Sequence, residues 1–295
     1  MGQNIILPKH LPLIKDFNLK NLSSIKVGGP ARYFFKPKTL IELKNSIDFA
    51  NDHGIKVKCL GNCTNVVFSD GGYNGLVLAL SNLKGVSKKS NVLTFTAGES
   101  LRSVFKIALS NGLTGAEYFS NIPATIGGAT VSNAGAFDHQ VSELVTFVQV
   151  IENGIIKFYD NKQCNFSYRN SIFKGKNIPI IKVEMSFEKG DYQKIISLEK
   201  ELSLKRKLTQ PMGLSCGSTF KNPQNYKAGK LIEQSGLKGY ALGDAIVSTK
   251  HANFILNNGN ATAKNIYDLA NLVKNKVFED TGIMLKEEIE FIGEF

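Results

Sequence analysis

Asn121-Ile-Pro-Ala-Thr-Ile-Gly-Gly-Ala-Thr-Val-Ser-Asn-Ala-Gly135 is the stretch on which the reading of this chain turns. It holds two Gly-containing turns around a short apolar run and carries no charged residue. Gly127-Gly128 lets backbone amides approach a ligand with no Cβ in the way. Consecutive amides at such a turn form a concavity for phosphate oxygens. A second loop of the same character lies upstream, Leu60-Gly-Asn-Cys-Thr-Asn-Val-Val-Phe-Ser-Asp-Gly-Gly72. Together they point to a long phosphate-bearing ligand held by backbone rather than by a cluster of Lys. Either loop alone reads as well as an ordinary turn.

The chain around these loops has 295 residues, enough for two or three domains. Charged residues are 21% and hydrophobic residues 42%, an ordinary globular composition. No apolar run approaches the roughly 20 residues of a membrane span, and Met1 to Lys20 shows no signal-peptide pattern. The expectation is a cytoplasmic protein with no membrane contact. Cys59, Cys63, Cys164 and Cys216 lack Cys-x-x-Cys spacing and nearby His, so no metal site is expected and a reduced compartment fits. The formal charge of +11 is spread along the chain without a basic run interleaved with aromatics, so no nucleic-acid partner is expected. An anionic small molecule or a general Lys and Asn bias accounts for it equally. Against that bias Arg32, Arg102, Arg169 and Arg206 stand out as places for a planar, always charged donor.

The patterning predicts an α+β fold. Thr39 to His53 reads as a helix with a Thr39/Glu42 capping box, stopped by Gly54. Strands are expected at 57–60, 75–80 and 92–97, and Ser100 caps a helix that Asn111-Gly112 ends. Two strands, 144–151 and 155–159, flank the hairpin signal Asn153-Gly154. A strand at 178–187 and a charged helix from Asp191 to about Lys207 follow, and Pro211-Met-Gly213 marks a domain boundary. Beyond it come a short helix at 229–234, strands at 245–248 and 253–256, a long helix at 262–280 closed by Gly282, and a last strand at 285–292.

Gly213-Leu-Ser-Cys-Gly217 matches the nucleophile elbow of a serine hydrolase, which would use Ser215. An elbow needs a helix directly after it, and Lys221-Asn-Pro223 forbids one. Ser218 in Gly217-Ser-Thr-Phe-Lys-Asn-Pro223 either faces a ligand or bonds its own turn. Arg169, between Phe166, Tyr168 and Phe173, is either a surface Arg stacked on Tyr168 or a clamp for a carboxylate. In a continuous last strand Glu288 shares a face with Glu290, and Glu287 with Ile289 and Phe291. That alternation does not choose between the carboxylates. No Walker loop, Gly-x-Gly-x-x-Gly or His-Glu-x-x-His occurs.

Six segments occur in one order: Val27-Gly-Gly-Pro-Ala-Arg-Tyr33, Leu60-Gly-Asn-Cys-Thr-Asn-Val66, Ile122-Pro-Ala-Thr-Ile-Gly-Gly128 with Asn133-Ala-Gly135, Tyr168-Arg169, Cys216-Gly-Ser-Thr-Phe-Lys-Asn-Pro223 and Glu288-Ile-Glu-Phe-Ile-Gly293. In these the chain resembles the UDP-N-acetylenolpyruvoylglucosamine reductases, flavoenzymes that make UDP-N-acetylmuramate for peptidoglycan. The resemblance runs from about residue 20 to residue 295. With no insertion between Lys230 and Ala261, the chain looks like the shorter form of the family, which lacks an extra Tyr-bearing loop. Two departures stand out: Pro123-Ala-Thr125 replaces the common Pro-Gly-Ser or Pro-Gly-Thr, and Cys63 replaces a common Gly.

The resemblance implies a two-subdomain FAD-binding module of the vanillyl-alcohol-oxidase/PCMH type, followed by a smaller α+β substrate domain. It puts the first FAD subdomain at 1–82, completed by 286–295, the second at 83–207 and the substrate domain at 208–285. It implies non-covalent FAD, with NADPH as hydride donor and an enolpyruvyl UDP-sugar as substrate. No protein partner is expected. The FAD residues it implies are Gly61, Asn62, Cys63, Thr64 and Asn65 in the first loop and Ile122, Pro123, Ala124, Thr125, Gly127 and Gly128 in the second, with Asn133, Ala134 and Gly135. Arg169 would take the substrate carboxylate, Ser218 would donate the proton and Glu288 would be its partner carboxylic group. Arg206, Lys221 and Asn222 would bind substrate. Another FAD-dependent oxidoreductase of the same architecture is the alternative, and a yellow purified protein would exclude both a hydrolase and a simple anion binder.

Overall fold

A computed structural model describes residues 7–8 and 11–295, so the reading of Met1 to Lys20 as free of a signal peptide lies partly outside the described residues. The chain divides into two compact units. The first comprises Met1–Lys15, Tyr33–Asn62 and Gly75–Leu204; the second comprises Asp16–Arg32, Cys63–Asn74 and Lys205–Phe295.

In the first unit, α1 (Leu40–Asp52) starts where Thr39 accepts a hydrogen bond from the Glu42 amide at 3.1 Å. The Glu42 carboxylate reaches back to the Lys38 amide at 2.6 Å, one residue further than a capping box requires. Helix α2 (Leu101–Ser110) is capped by Ser100, which accepts from the Ser103 amide at 3.0 Å. A five-stranded antiparallel sheet runs in the order Ile155–Asp160, Val145–Glu152, Ile180–Ser186, Val92–Thr96, Val86–Lys89. Its Asn153-Gly154 hairpin has both φ angles positive, 52° and 75°, the turn that suits the twist of antiparallel strands. Leu93, Phe95, Val148, Val150, Val183 and Met185 are buried in one core with the apolar stripe of α2. A second core joins Leu43, Phe49 and Ala50 of α1 to Leu76 and Leu78, whose strand runs parallel to Val57–Leu60. Two cores within this unit suit a module of two subdomains.

Helix α3 (Ile126–Ser132) was not expected from the sequence. Two adjacent Gly oppose a helix by about 1 kcal/mol each relative to Ala, which masks it. Its ends supply the stabilisation. Thr125 caps the start, accepting from the Gly128 amide at 3.2 Å. Asn133 ends it in the left-handed region at φ 44°, and the Ala134 amide closes onto the Ala129 carbonyl at 2.8 Å. Helix α4 (Tyr192–Thr209) completes the unit up to Leu204 and continues into the second.

The second unit has α5 (Ala228–Gln234), α6 (Ala263–Thr281) and an antiparallel sheet in the order Leu214–Ser215, Ile255–Asn257, Ala245–Val247, Ala241–Leu242. Helix α6 buries Ile266, Leu269, Ala270, Val273 and Val277. Each large apolar side chain removed from water there contributes roughly 1.5–3 kcal/mol. Its start is capped twice. Thr262 accepts from the Asn265 amide at 3.0 Å, and the Asp70 carboxylate accepts from Ala263 and Lys264 at 2.9 and 3.0 Å. Among the described residues no helix is long and apolar enough to cross a membrane.

Two strands differ from the sequence reading. The strand expected at 253–256 starts at Ile255, because the Asn253 side chain pairs with both backbone groups of Phe220 at 2.9 and 2.8 Å. The strand expected at 285–292 is not continuous. Glu287 bridges Phe220, the chain bends at Glu288 and Ile289, and only Glu290–Ile292 pairs, in parallel, with Val66–Phe68. The cause is a shared acceptor: the Thr219 carbonyl receives both the Glu288 amide at 2.8 Å and the Ile289 amide at 3.4 Å. The simple alternation of faces is lost there.

Candidate active site

Within the first unit the start of the upstream Gly-rich loop, Gly61-Asn62, meets the second loop. A Cβ at Gly61 would lie 2.3 Å from Thr125 Oγ1, and Asn62 Nδ2 donates to the Pro123 carbonyl at 3.3 Å. Only a glycine permits that approach, since real Cβ contacts do not fall below 3.0 Å. Gly61 and Asn62 thus lie directly against Thr125 and Pro123.

The amides at the start of the second loop are not free for phosphate oxygens, contrary to the sequence expectation. The Ile126 amide donates to the Glu99 carbonyl at 2.7 Å, the Gly127 amide to the Ala97 carbonyl at 2.9 Å and the Gly128 amide to Thr125 Oγ1. These amides are engaged within the protein and form no open concavity for phosphate. Gly127 is instead required by packing, because a Cβ there would sit 2.7 Å from that of Ala97. Gly128 is different: it is exposed, and a Cβ would meet only Thr125 Oγ1 at 3.3 Å.

Asn133 is buried with its side chain fully engaged. Nδ2 donates to Gln140 Oε1 and the Ser167 carbonyl, both at 3.0 Å, and Oδ1 accepts from the Ser142 amide at 3.1 Å. It fixes the end of α3 against the turn that carries Arg169. Ala134 and Gly135 lead into a short hairpin, where a Cβ at Gly135 would strike the His139 carbonyl at 2.1 Å.

Arg169 stands on a tight turn closed by reciprocal bonds between Ser167 and Asn170 at 3.1 Å. Its φ of 54° is left-handed, a strained setting for a residue with a Cβ. Nη2 donates to the Gly135 carbonyl at 2.6 Å, and the guanidinium lies 5.1 Å from the Tyr168 ring centre. The stacking on Tyr168 is present, and the bond to Gly135 ties Arg169 to the segment just past Asn133.

In the second unit, Ser218 follows Gly217, whose φ of 76° turns the chain out of the Leu214–Ser215 strand. No helix opens there; α5 begins only at Ala228, so Ser215 has no elbow. Because Thr219 accepts from Glu288, Ser218 and Glu288 lie on adjoining segments. Asn65 grips the Glu288 side as well: its Nδ2 donates to the Glu288 carbonyl at 3.0 Å and its carbonyl accepts from the Glu290 amide at 3.0 Å. The three glutamates are now distinct. Glu287 pairs with Lys274 Nζ at 2.6 Å, Glu290 is exposed and Glu288 is half-buried. Cys63 is buried at φ 53°, the left-handed turn that a Gly would take without strain, and Thr64 lies between it and Asn65.

Lys221 extends the Phe220–Glu287 pairing, its amide donating to the Lys286 carbonyl at 2.8 Å. Asn222 Oδ1 accepts from the Ala228 amide at 3.0 Å and so starts α5. Arg206, near the end of α4, is half-buried; burial holds its guanidinium below the ordinary range, and among the described residues no carboxylate pairs with it. The sequence reading missed Glu199, a buried carboxylate on α4 that receives Arg102 Nη1. Only the spare use of Arg pointed toward it.

Comparison with known proteins bears on the family and the fold. Residues 31–154 match the FAD binding domain family, and residues 209–292 match the C-terminal domain of UDP-N-acetylenolpyruvoylglucosamine reductase. The solved structure of UDP-N-acetylenolpyruvylglucosamine reductase from Thermus caldophilus superposes with a TM-score of 0.81 at 29% identity, covering 94% of this chain and 98% of that one. Cholesterol oxidase from B. sterolicum superposes at 0.50 and 17% identity over 64% of this chain and 39% of its own, a likeness of fold alone. The fold is thus α+β, an FAD-binding module of the PCMH type with a second α+β domain. UDP-N-acetylenolpyruvoylglucosamine reductase of Caldanaerobacter subterraneus subsp. tengcongensis is 41% identical over 278 residues, 94% of this chain and 92% of that relative. With this identity over nearly its whole length, the chain belongs to the UDP-N-acetylenolpyruvoylglucosamine reductase family of FAD-dependent oxidoreductases.

Proposed function

We propose that the chain reduces the enolpyruvyl group of UDP-N-acetylglucosamine enolpyruvate with NADPH, and that its residues divide the work as follows. Bound FAD supplies the hydride chemistry, from NADPH to the vinyl carbon distal to the substrate carboxylate. Gly61, Asn62, Ala124, Thr125 and Gly128 hold the cofactor without a covalent bond, with Cys63, Thr64, Asn65, Ile122, Pro123, Gly127, Asn133, Ala134 and Gly135 shaping the loops. The charge that develops beside the carboxylate needs a cation, and Arg169 supplies it with a planar fork. The carbon must then be protonated, and Ser218 donates that proton. A hydroxyl is a weak acid toward water, but against an enolate carbon the proton affinities are closer and position supplies the rest. Glu288 serves best as a neutral carboxylic group, since a second full negative charge beside the enolate is unfavourable. Arg206, Lys221 and Asn222 receive the nucleotide portion.

The observation that carries these roles is the Thr219–Glu288 bond, which sets Ser218 and Glu288 on adjoining segments. In domain terms, residues 1–82 with 286–295 and residues 83–207 hold FAD, and residues 208–285 take the substrate. The setting is the cytoplasm, with small-molecule partners only. Arg169→Lys tests the assignment. It keeps charge and loses the fork, so reoxidation by the enolpyruvyl substrate falls steeply while flavin reduction by NADPH changes little. Equal loss in both half-reactions would show that Arg169 serves the fold or the flavin instead.

A further inference from the structure

Glu199 lies on α4, buried, in the first unit. One of its oxygens, Oε1, receives Arg102 Nη1 of α2 and the hydroxyls of Ser203 at 3.0 Å and Ser120 at 3.2 Å. Asn121 Nδ2 lies 2.6 Å from Ser203 Oγ and 2.8 Å from Ser120 Oγ. Asn121 Nδ2 also donates to Glu199 Oε1 itself at 3.3 Å, so its two hydrogens are shared among the two hydroxyls and the carboxylate, and each hydroxyl proton goes on to the carboxylate. Ser120 and Asn121 immediately precede Ile122-Pro-Ala-Thr125. The far end of that loop is held by the cap of α3, and its middle by the Leu101 amide, which donates to the Ala124 carbonyl at 3.0 Å. Glu199 therefore anchors the near end.

We propose that Glu199 is a positioning residue for the flavin loop, holding Asn121, and through it Ile122 to Thr125, in the arrangement that receives FAD. This rests on the reading that the loop binds FAD. The partners of Glu199 Oε1 are all donors, one of them a guanidinium, and a negative charge suits them. Burial raises the carboxyl, but the Arg102 and Ser203 hydrogen bonds outweigh it and hold Glu199 below its ordinary range. Glu199→Gln keeps the size and removes the charge, leaving a neutral carbonyl oxygen where the carboxylate accepted the Arg102 guanidinium. A hydrogen bond to a charged group is worth enough to change an equilibrium about tenfold or more.

The test measures the FAD dissociation constant of full-length holoenzyme by flavin fluorescence on serial dilution. Glu199→Gln and Asn121→Ala each raise it about tenfold or more, and the double variant is no worse than Glu199→Gln alone, because both act through one contact. Asn121→Ala leaves the Arg102–Glu199 pair intact. Wild-type affinity in Asn121→Ala means that Glu199 only braces α2 against α4, and overturns the proposal. So does wild-type affinity in Glu199→Gln, or additive losses in the double variant. Pro123→Glu places a negative charge at an exposed position of the loop itself. If it weakens FAD and Asn121→Ala does not, the loop reading stands and only the role of Glu199 falls. If Pro123→Glu binds FAD as wild type does, the loop reading falls and takes the proposal with it. Should Glu199→Gln yield no folded protein, Asn121→Ala and Pro123→Glu decide alone.

Discussion

Gly61 and Thr125 offer a quantitative test of how the two loops meet. The φ of Gly61 is not in the left-handed region, so alanine is compatible with its backbone and the only objection is steric. A new Cβ would fall 2.3 Å from Thr125 Oγ1, but 3.4 Å from Thr125 Cβ and Cγ2, which is ordinary contact. Gly61→Ala must therefore displace one atom, the hydroxyl that caps α3 through the Gly128 amide. Losing such a cap costs about 0.5–2 kcal/mol, and parting the loops costs more. Thr125→Ala loses the cap alone, about 1 kcal/mol. In the double variant the clashing atom is gone. Alanine at 61 then adds no penalty and recovers about 0.4–1 kcal/mol by restricting the unfolded chain. The two changes are thus sub-additive by about 1 kcal/mol or more. Chemical denaturation of the four proteins, with FAD affinity measured alongside, supplies the cycle. Strict additivity, or Gly61→Ala with unchanged stability and FAD affinity, would refute the approach of the loops.

Asp70→Ala removes the carboxylate that caps two amides of α6 and lowers stability by about 0.5–2 kcal/mol, while Asp70→Asn, which keeps one acceptor, loses less; denaturant midpoints measure both. Burial pushes the Cys164 and Cys216 thiols up to about 12, so at pH 8 the native protein resists alkylation at both, and mass mapping finds label there only after denaturation. Ser215→Ala leaves both half-reactions and any background esterase activity unchanged, because no helix follows the Ser215 strand; a selective loss of esterase activity would revive the hydrolase reading.

Much of this architecture is written locally in the sequence. The Thr39 and Ser100 caps, the Asn153-Gly154 hairpin and the Gly54 and Gly282 stops are short-range signals, and each sits where expected. What stayed hidden depends on distant partners. Helix α3 runs through two Gly and is held by Thr125 and Asn133 rather than by propensity. The break at Glu288 arises because two amides share one carbonyl 69 residues away in sequence, that of Thr219 (288 − 219). The same long-range contacts separate the glutamates: Lys274 takes Glu287, and Asn65 grips the backbone of Glu288. The loops themselves were legible, but the use of their amides was not, since the acceptors Ala97 and Glu99 belong to another segment. Arg102 was singled out for its rarity, and its partner Glu199 appeared only with α4 in place.

The proton donor is the centre of this account, and anaerobic stopped-flow of Ser218→Ala tests it most directly. Flavin bleaching by NADPH should proceed at nearly the wild-type rate. Reoxidation on mixing with UDP-N-acetylglucosamine enolpyruvate should slow by about 10²–10⁴-fold, the usual contribution of a positioned general acid, and Ser218→Cys should recover part of it. Reoxidation of Ser218→Ala at the wild-type rate would contradict the assignment.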